Sequence, residues 1–212
     1  MSGTRKAHAV SNICQPHTVE AVVIGCSAGG LCALKVVLAG LPKGVNAAFI
    51  IVAHTPPDGA SLLPQLLNSH CALPVTEAIE REPVVPGRVY IAPPNYHLLI
   101  EADRTFALSV DDHVCYVRPA VDVLFLTAAD VYREHLMGVV LTGANSDGAL
   151  GLKAVKDAGG ITLVQDPTTA YAESMPLAAI ATGAADHVLA LQDISGSILT
   201  HCAVCRSTDG VH

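Results

Sequence analysis

A short apolar run that ends in a glycine-rich turn constrains the fold of this chain more than any other feature. Val22-Val23-Ile24 leads into Gly25-Cys26-Ser27-Ala28-Gly29-Gly30, and apolar residues then recur at helical spacing from Leu31 to Leu38. This order predicts a buried strand, a sharp turn and a helix. The turn fits the pattern G-x-S-x-G, in which a serine between strand and helix is held as a nucleophile near a helix N-terminus.

Two other interpretations of this turn stay open on the turn alone. A serine before a helix is most often an N-cap. A glycine-rich turn after a first strand also opens dinucleotide-binding folds, which require G-x-G-x-x-G and an acidic residue at the end of the next strand. The next predicted strand, residues 47–53, is followed by His54. A histidine at that position disfavours a nucleotide site and favours a base beside a nucleophile.

The composition of the chain disfavours several classes of partner. Its 212 residues carry a formal net charge of −7, and Lys and Arg form no run, which argues against nucleic acid and anionic membranes. No apolar stretch is long enough to cross a bilayer, and residues 1–16 lack the apolar centre of a signal peptide. We expect a cytoplasmic protein without direct membrane insertion, and the sequence leaves its oligomeric state open.

Predicted strands and helices alternate along the chain, and most of the strands are apolar throughout. This is typical of a three-layer α/β fold, with a doubly wound, mostly parallel sheet and helices on both faces. His97 to Glu101 and Thr105 to Val110 alternate polar and apolar residues instead, which predicts an antiparallel β-hairpin at a solvent-facing edge. We expect a flexible leader at 1–18, one catalytic domain at 19–205 and a tail at 206–212.

Three residues that can share one chemistry follow three of the predicted strands. Ser27 follows the first, His54 follows the second, and Asp147 lies just beyond the strand 136–142. If these strands are neighbours, a hydroxyl, an imidazole and a carboxylate converge at the carboxyl ends, where ligands bind in such sheets. In a Ser-His-Asp triad the imidazole takes the hydroxyl proton, and the carboxylate orients the imidazole.

The carboxylate also has simpler interpretations. Asp147 precedes Gly148 and a predicted helix, so taken alone it is more often an N-cap. Asp58 and Asp166 are rival carboxylates, although both lie in proline-containing turns where aspartate is common for local reasons. The joint placement of the three residues at strand ends is what favours catalysis.

The seven cysteines show no disulfide spacing and are expected to be reduced thiols. Cys202-Ala203-Val204-Cys205 beside His201 lacks a second ligand pair for zinc. We therefore favour a C-terminal helix or tail there, and we expect neither a metal nor a cofactor. Cys26 is expected to pack in the core, because its side chain points away from that of Ser27.

Five longer segments together carry a resemblance to a known family. They are IGCSAGG (24–30), VAHTP (52–56), YIAPPNYHL (90–98), RPAVDVLF (118–125) and VLTGANSDGA (140–149). In this register, over about residues 19–192, the chain resembles the catalytic domain of the chemotaxis protein-glutamate methylesterases, known as CheB.

The resemblance implies a site and a substrate. Ser27, His54 and Asp147 take the positions of the family's triad, and backbone N–H groups of Ala28 and Ala144 take those of the oxyanion hole. The implied reaction is hydrolysis of glutamate γ-methyl esters on a methylated chemoreceptor or related signalling protein, and many members also deamidate receptor glutamines. A serine hydrolase of another protein or small ester, and a non-catalytic binding module, remain the alternatives.

The chain departs from the family pattern in three places. The family usually carries a phosphorylatable receiver domain before the catalytic one, and here only the short leader stands there, so we expect no response to phosphodonors. The loop that commonly reads Gly-Met-Gly is Gly143-Ala144-Asn145, and Thr55 stands where methionine is common. The Thr55 change is expected to alter the substrate groove.

Overall fold

The computed structural model describes residues 18–54 and 62–204, and strands alternate with helices along both ranges. The strands are β1 Ala21–Cys26, β2 Ala48–Ala53, β3 Val75–Glu77, β4 Val89–Ile91, β5 His97–Ile100, β6 Phe106–Ser109, β7 Leu136–Val140, β8 Ile161–Gln165 and β9 His187–Leu189. The α-helices are α1 Gly30–Ala39, α2 Leu63–Asn68, α3 Val121–Tyr132, α4 Ala149–Asp157, α5 Ser174–Ala181 and α6 Ile194–His201.

Seven of the strands form one parallel sheet in the order β3-β4-β2-β1-β7-β8-β9. Strand β1 is therefore central, with β2 on one side and β7 on the other. Their carboxyl ends lie at the same edge of the sheet, so the residues that follow these strands are neighbours. The predicted doubly wound α/β fold is confirmed.

Each face of the sheet buries its own apolar core. Val22, Ile24 and Cys26 of β1 pack with residues of α1, α2 and α6. Ala21 and Val23 point to the opposite face, where α3, α4 and α5 pack. Because both faces are covered, polar positions are nearly absent from β1, which explains its continuous apolar sequence.

The hairpin was predicted correctly, but its placement at a solvent-facing edge was wrong. Strands β5 and β6 pair antiparallel in a sheet of their own. Leu98, Ile100 and Phe106 are buried in the same core as α3, so the hairpin covers that helix. The alternation of polar and apolar residues predicts one buried face, and it does not specify what that face packs against.

The ends of the chain are only partly described. The predicted leader, apart from Thr18, and the predicted tail lie outside the described residues. In the described part, none of the helices has the length and apolar character needed to span a membrane.

Candidate active site

Ser27 lies in the sharp turn between β1 and α1, and glycines make that turn possible. A Cβ at Gly25 would collide with the side chain of Val121, so α3 can approach the strand end only over a glycine. Gly29 has φ +80, and a Cβ there would lie 2.5 Å from Cβ of Tyr171. Gly29 is also the N-cap of α1 and makes no side-chain cap bond, which contradicts the N-cap interpretation of Ser27. The Ser27 side chain is half-buried and forms no hydrogen bond with a described residue.

His54 follows β2 directly and faces Asp147. Its backbone N–H donates to the Cys26 carbonyl at 3.0 Å, which holds it beside the end of β1. Its Nε2 lies 2.9 Å from Oδ2 of Asp147. An ionised carboxylate only accepts hydrogen bonds, so Nε2 carries the proton of the neutral imidazole and Nδ1 carries the lone pair. Nδ1 is therefore the nitrogen that can act as a base.

Asp147 is buried at the N-terminus of a helix that is distant in sequence. It is 1% exposed. Its Oδ2 accepts from the backbone N–H of Val121 at 2.6 Å, and its Oδ1 accepts from that of Asp122 at 2.9 Å. These N–H groups lie at the start of α3 and have no acceptor within the helix, so a negative charge is favourable there. Because Gly148 is the N-cap of α4, the interpretation of Asp147 as a cap for its own helix is wrong.

Asp122 accepts backbone N–H groups at the start of α4, as Asp147 does at the start of α3. Its Oδ1 accepts from the backbone N–H of Gly148 at 2.9 Å and of Gly151 at 2.7 Å. Burial, together with the charge of Asp147, raises the pKa of the Asp122 carboxyl. Asp122 in α3 thus caps α4, and Asp147, just before α4, caps α3. Together these bonds fix the loop that carries Asp147.

The backbone groups predicted for an oxyanion hole are unoccupied donors. The N–H groups of Ala28 and Ala144 donate to no other described residue. The Thr142 hydroxyl donates to the Ala28 carbonyl at 2.8 Å and accepts from the Ala172 N–H at 2.9 Å. The backbone N–H of Thr142 donates to Oε1 of buried Gln165 at 2.9 Å. This network holds the serine turn against the loop that contains Ala144.

The side-chain amide of Asn145 contacts Nδ1 of His54, the ring nitrogen that does not bond to Asp147. Its Oδ1 accepts from the backbone N–H of Asp147 at 3.2 Å, so its amide nitrogen points the other way. That nitrogen lies 3.4 Å from Nδ1 of His54, a long and weak contact. A serine hydroxyl that approaches Nδ1 can displace it.

One group near the site has side chains that metals can use. The Cys115 sulfur and the carboxylates of Asp122 and Asp147 offer ligand atoms within 4.8 Å of one another. Both oxygens of Asp147 and one of Asp122 already accept backbone N–H bonds. Desolvation and the two nearby carboxylates raise the pKa of the Cys115 thiol, which disfavours the thiolate that metals bind. This donor set fits a metal poorly.

Of the two rival carboxylates, Asp166 alone is described, and it has a local role. Asp166 accepts from the backbone N–H of Thr168 at 2.8 Å within its own turn, the local role expected for aspartate there. Asp58 and Thr55 lie outside the described residues.

Of the five described cysteines, Cys26 and Cys202 are buried, Cys71 is half-buried, and Cys32 and Cys115 are exposed. Cys26 is buried as predicted, and burial raises its pKa to about 12. Burial raises the pKa of Cys202 to about 11. Cys205, the other cysteine of the C-x-x-C sequence, lies outside the described residues.

Sequence reasoning missed the residues that support the site. From the sequence, Asp122 is named only within a segment that matches the family, and no role is predicted for Thr142 or Gln165. A polar residue at the end of an apolar strand was the available signal for Gln165, because buried polar groups require partners. No local signal places the N-terminus of α3 against Asp147, since they are 26 residues apart along the chain.

Comparisons with known proteins identify the family of this chain. The sequence model of the CheB methylesterase family matches residues 22–198. A protein from Leptospira interrogans is 48% identical over 176 residues, which are 83% of this chain and 91% of that one. A protein-glutamate methylesterase/protein-glutamine glutaminase from Clostridium acetobutylicum is 36% identical over 86% of this chain. The chain spans 53% of that relative.

A solved structure has the same fold. The crystal structure of the Thermotoga maritima CheB methylesterase catalytic domain matches with a TM-score of 0.84 at 37% identity. The match covers 86% of this chain and 98% of that domain. With the family model covering most of the sequence, this chain belongs to the CheB methylesterase family.

Proposed function

We propose that this chain hydrolyses glutamate γ-methyl esters on a methylated chemoreceptor or related signalling protein in the cytoplasm. Ser27 is the nucleophile, His54 is the base and then the acid, and Asp147 orients His54. The same machinery can deamidate a glutamine side chain, the second activity in the names of relatives. The observation that carries the proposal is the bond between His54 Nε2 and Asp147, at the strand end beside Ser27.

The first half of the reaction releases methanol. Oγ of Ser27 attacks the ester carbonyl carbon while its proton passes to Nδ1 of His54. The carbonyl oxygen becomes an oxyanion that accepts from the N–H groups of Ala28 and Ala144, and such a donor contributes about 3–4 kcal/mol elsewhere. The tetrahedral intermediate collapses as Nδ1–H protonates the departing methoxy oxygen, which leaves an acyl ester on Ser27.

The second half regenerates the serine. Water attacks the acyl carbon and gives a proton to Nδ1, and the second tetrahedral intermediate then expels Oγ of Ser27, which takes that proton back. The product is the free glutamate carboxylate. Throughout, Asp147 accepts from Nε2–H and stabilises the imidazolium when it forms.

Methanol release from methylated receptor membranes tests this function. We expect Ser27→Ala to lower the rate by at least about 10³-fold, as for triad residues elsewhere. Ser197→Ala, in α6, is the matched control and should release methanol at the parent rate. Undiminished release by a folded Ser27→Ala protein would refute the mechanism, and no release by the parent protein would refute the substrate.

A further inference from the structure

The cavity next to His54 has an unexpected lining for an acidic protein. A cavity of about 230 Å³ opens beside His54, and its wall includes Asn95, His113, Tyr116 and Arg118. None of the described residues that line it is acidic, although the chain has 19 Asp and Glu against 12 Lys and Arg. The cavity therefore presents hydrogen-bond donors and a positive charge in an otherwise negative molecule.

Arg118 is held at the wall of this cavity by its own segment. Its Nη1 donates to the carbonyl oxygens of Val110 at 2.6 Å and Asp111 at 2.9 Å. Buried His97 donates from Nε2 to the carbonyl of Asp112 at 3.0 Å, which ties the same segment to the hairpin. These bonds hold the guanidinium group near the cavity before a ligand arrives.

The charge of Arg118 is nevertheless incompletely paired. Within residues 18–54 and 62–204, no carboxylate forms an ion pair with it. Its Nε is shielded from solvent and has no acceptor there. A buried donor without an acceptor costs free energy, and a small shift of the side chain onto a bound carboxylate would relieve that cost.

We propose that this cavity is a subsite for a second side chain of the substrate, a carboxylate, and that Arg118 binds it. This deepens the function proposed above and rests on it, since the substrate is a protein segment that carries the ester. Because the cavity adjoins His54, the carboxylate belongs to a residue close to the esterified glutamate, within about four positions on a helix. Guanidinium groups bind carboxylates with strong, directional hydrogen bonds. A local positive site also offsets the repulsion of an acidic segment by a chain of net charge −7.

Binding tests the subsite without any turnover, in the Ser27→Ala protein. Two fluorescent peptides carry a central glutamate γ-methyl ester and differ only three and four positions to either side, with Glu in one and Gln in the other. We expect the acidic peptide to bind about 10- to 100-fold more tightly, the range of a hydrogen bond to a charged group. Equal affinities would overturn the proposal.

Three variants assign the preference to the cavity. Arg118→Gln should remove the preference while its affinity for the neutral peptide stays within about twofold. Asn95→Asp brings a negative charge to the same wall from another segment, at φ +66, a conformation that aspartate tolerates, and should also abolish the preference. Lys43→Gln removes the same charge from an exposed position before β2 and should keep the preference.

The outcomes separate this proposal from the function on which it rests. Unequal binding that Arg118→Gln equalises, with no hydrolysis of either peptide by the parent protein, would support the subsite and refute the reaction. Hydrolysis of both peptides with equal kcat/KM would support the reaction and overturn the subsite. A merely structural Arg118 would weaken both peptides alike, and Asn95→Asp would then retain the preference, which would also overturn the proposal.

Discussion

The two carboxylates of the candidate site accept several backbone N–H groups, whereas the serine side is open. Asp147 and Asp122 are 1% and 3% exposed, and both accept backbone N–H groups from helix N-termini. The Ser27 hydroxyl forms no bond with a described residue, and the N–H groups of Ala28 and Ala144 are also free of described partners.

The difference follows from what each side must do. A buried negative charge is unfavourable unless several donors compensate it, so the carboxylates need their partners in every state. In the proposed mechanism, the N–H groups beside the serine bind a charge that exists only during the reaction, and donors already occupied could not do so. The N–H groups of helix N-termini therefore bind the buried carboxylates, and the loop N–H groups stay available for the oxyanion of the proposed reaction.

Asp147→Asn should break the carboxylate side most severely. The amide places a donor where the carboxylate now accepts from Val121, Asp122 and His54. We expect kcat to fall by about 10⁴-fold, because the preferred tautomer of the histidine is lost. The test compares the rates of methanol release by Asp147→Asn and by Asp122→Asn.

Asp122→Asn makes the same chemical change where no reacting group is touched. We expect it to lower the free energy of unfolding by about 1–3 kcal/mol and to keep most of the activity. Equal losses of activity in the two variants would contradict the division of roles between the two aspartates.

Thr142→Val probes the serine side, with Thr162→Val as its control. Both hydroxyls are buried, and each donates to a loop carbonyl, of Ala28 at 2.8 Å and of Ala184 at 2.5 Å respectively. We expect Thr142→Val to lower kcat about tenfold with little change in KM, because an oxyanion donor loses its position. Thr162→Val should lower the melting temperature alone, and a similar loss of kcat there would remove the special role of Thr142.

The stability contributions of Asp122, in the site, and Asp186, on the surface, should change with pH in opposite directions. The pKa of Asp122 is raised by burial above the ordinary 3.8, so the folded state binds its proton more tightly than the unfolded state does. Its stabilising contribution is present below that value and is lost as pH rises through the raised pKa. The stability gap between the parent and Asp122→Asn should therefore shrink from pH 4 to pH 7, in urea unfolding.

Asp186 should behave in the opposite way. Burial would raise its pKa, but hydrogen bonds from Lys156 and Thr162 outweigh burial and lower it below 3.8. Its contribution is present above that value and is lost as pH falls through the lowered pKa. The gap between the parent and Asp186→Asn should amount to about 1 kcal/mol or less and should shrink on acidification. A gap of the same pH trend in both variants would contradict the assignment.

The strands, the turn and two of the site residues follow from local sequence. Ser27 and His54 could be placed because apolar runs end just before them, and parallel strands align their carboxyl ends. The surroundings of Asp147 could not be predicted, since its partners are the first residues of a helix that starts 26 positions earlier. Asp122 looks like an ordinary first-turn aspartate, which is favourable at any helix N-terminus. Its bonds to Gly148 and Gly151 depend on how α3 and α4 pack.

The central claim is that His54, held by Asp147, activates Ser27. The most direct test is the rate at which a fluorophosphonate labels the protein, followed by mass spectrometry of the modified residue. We predict one adduct, on Ser27. His54→Gln should slow labelling by at least about 10³-fold, because the base that takes the serine proton is lost. An adduct on another residue, or labelling of Ser27 in His54→Gln at the parent rate, would contradict the account.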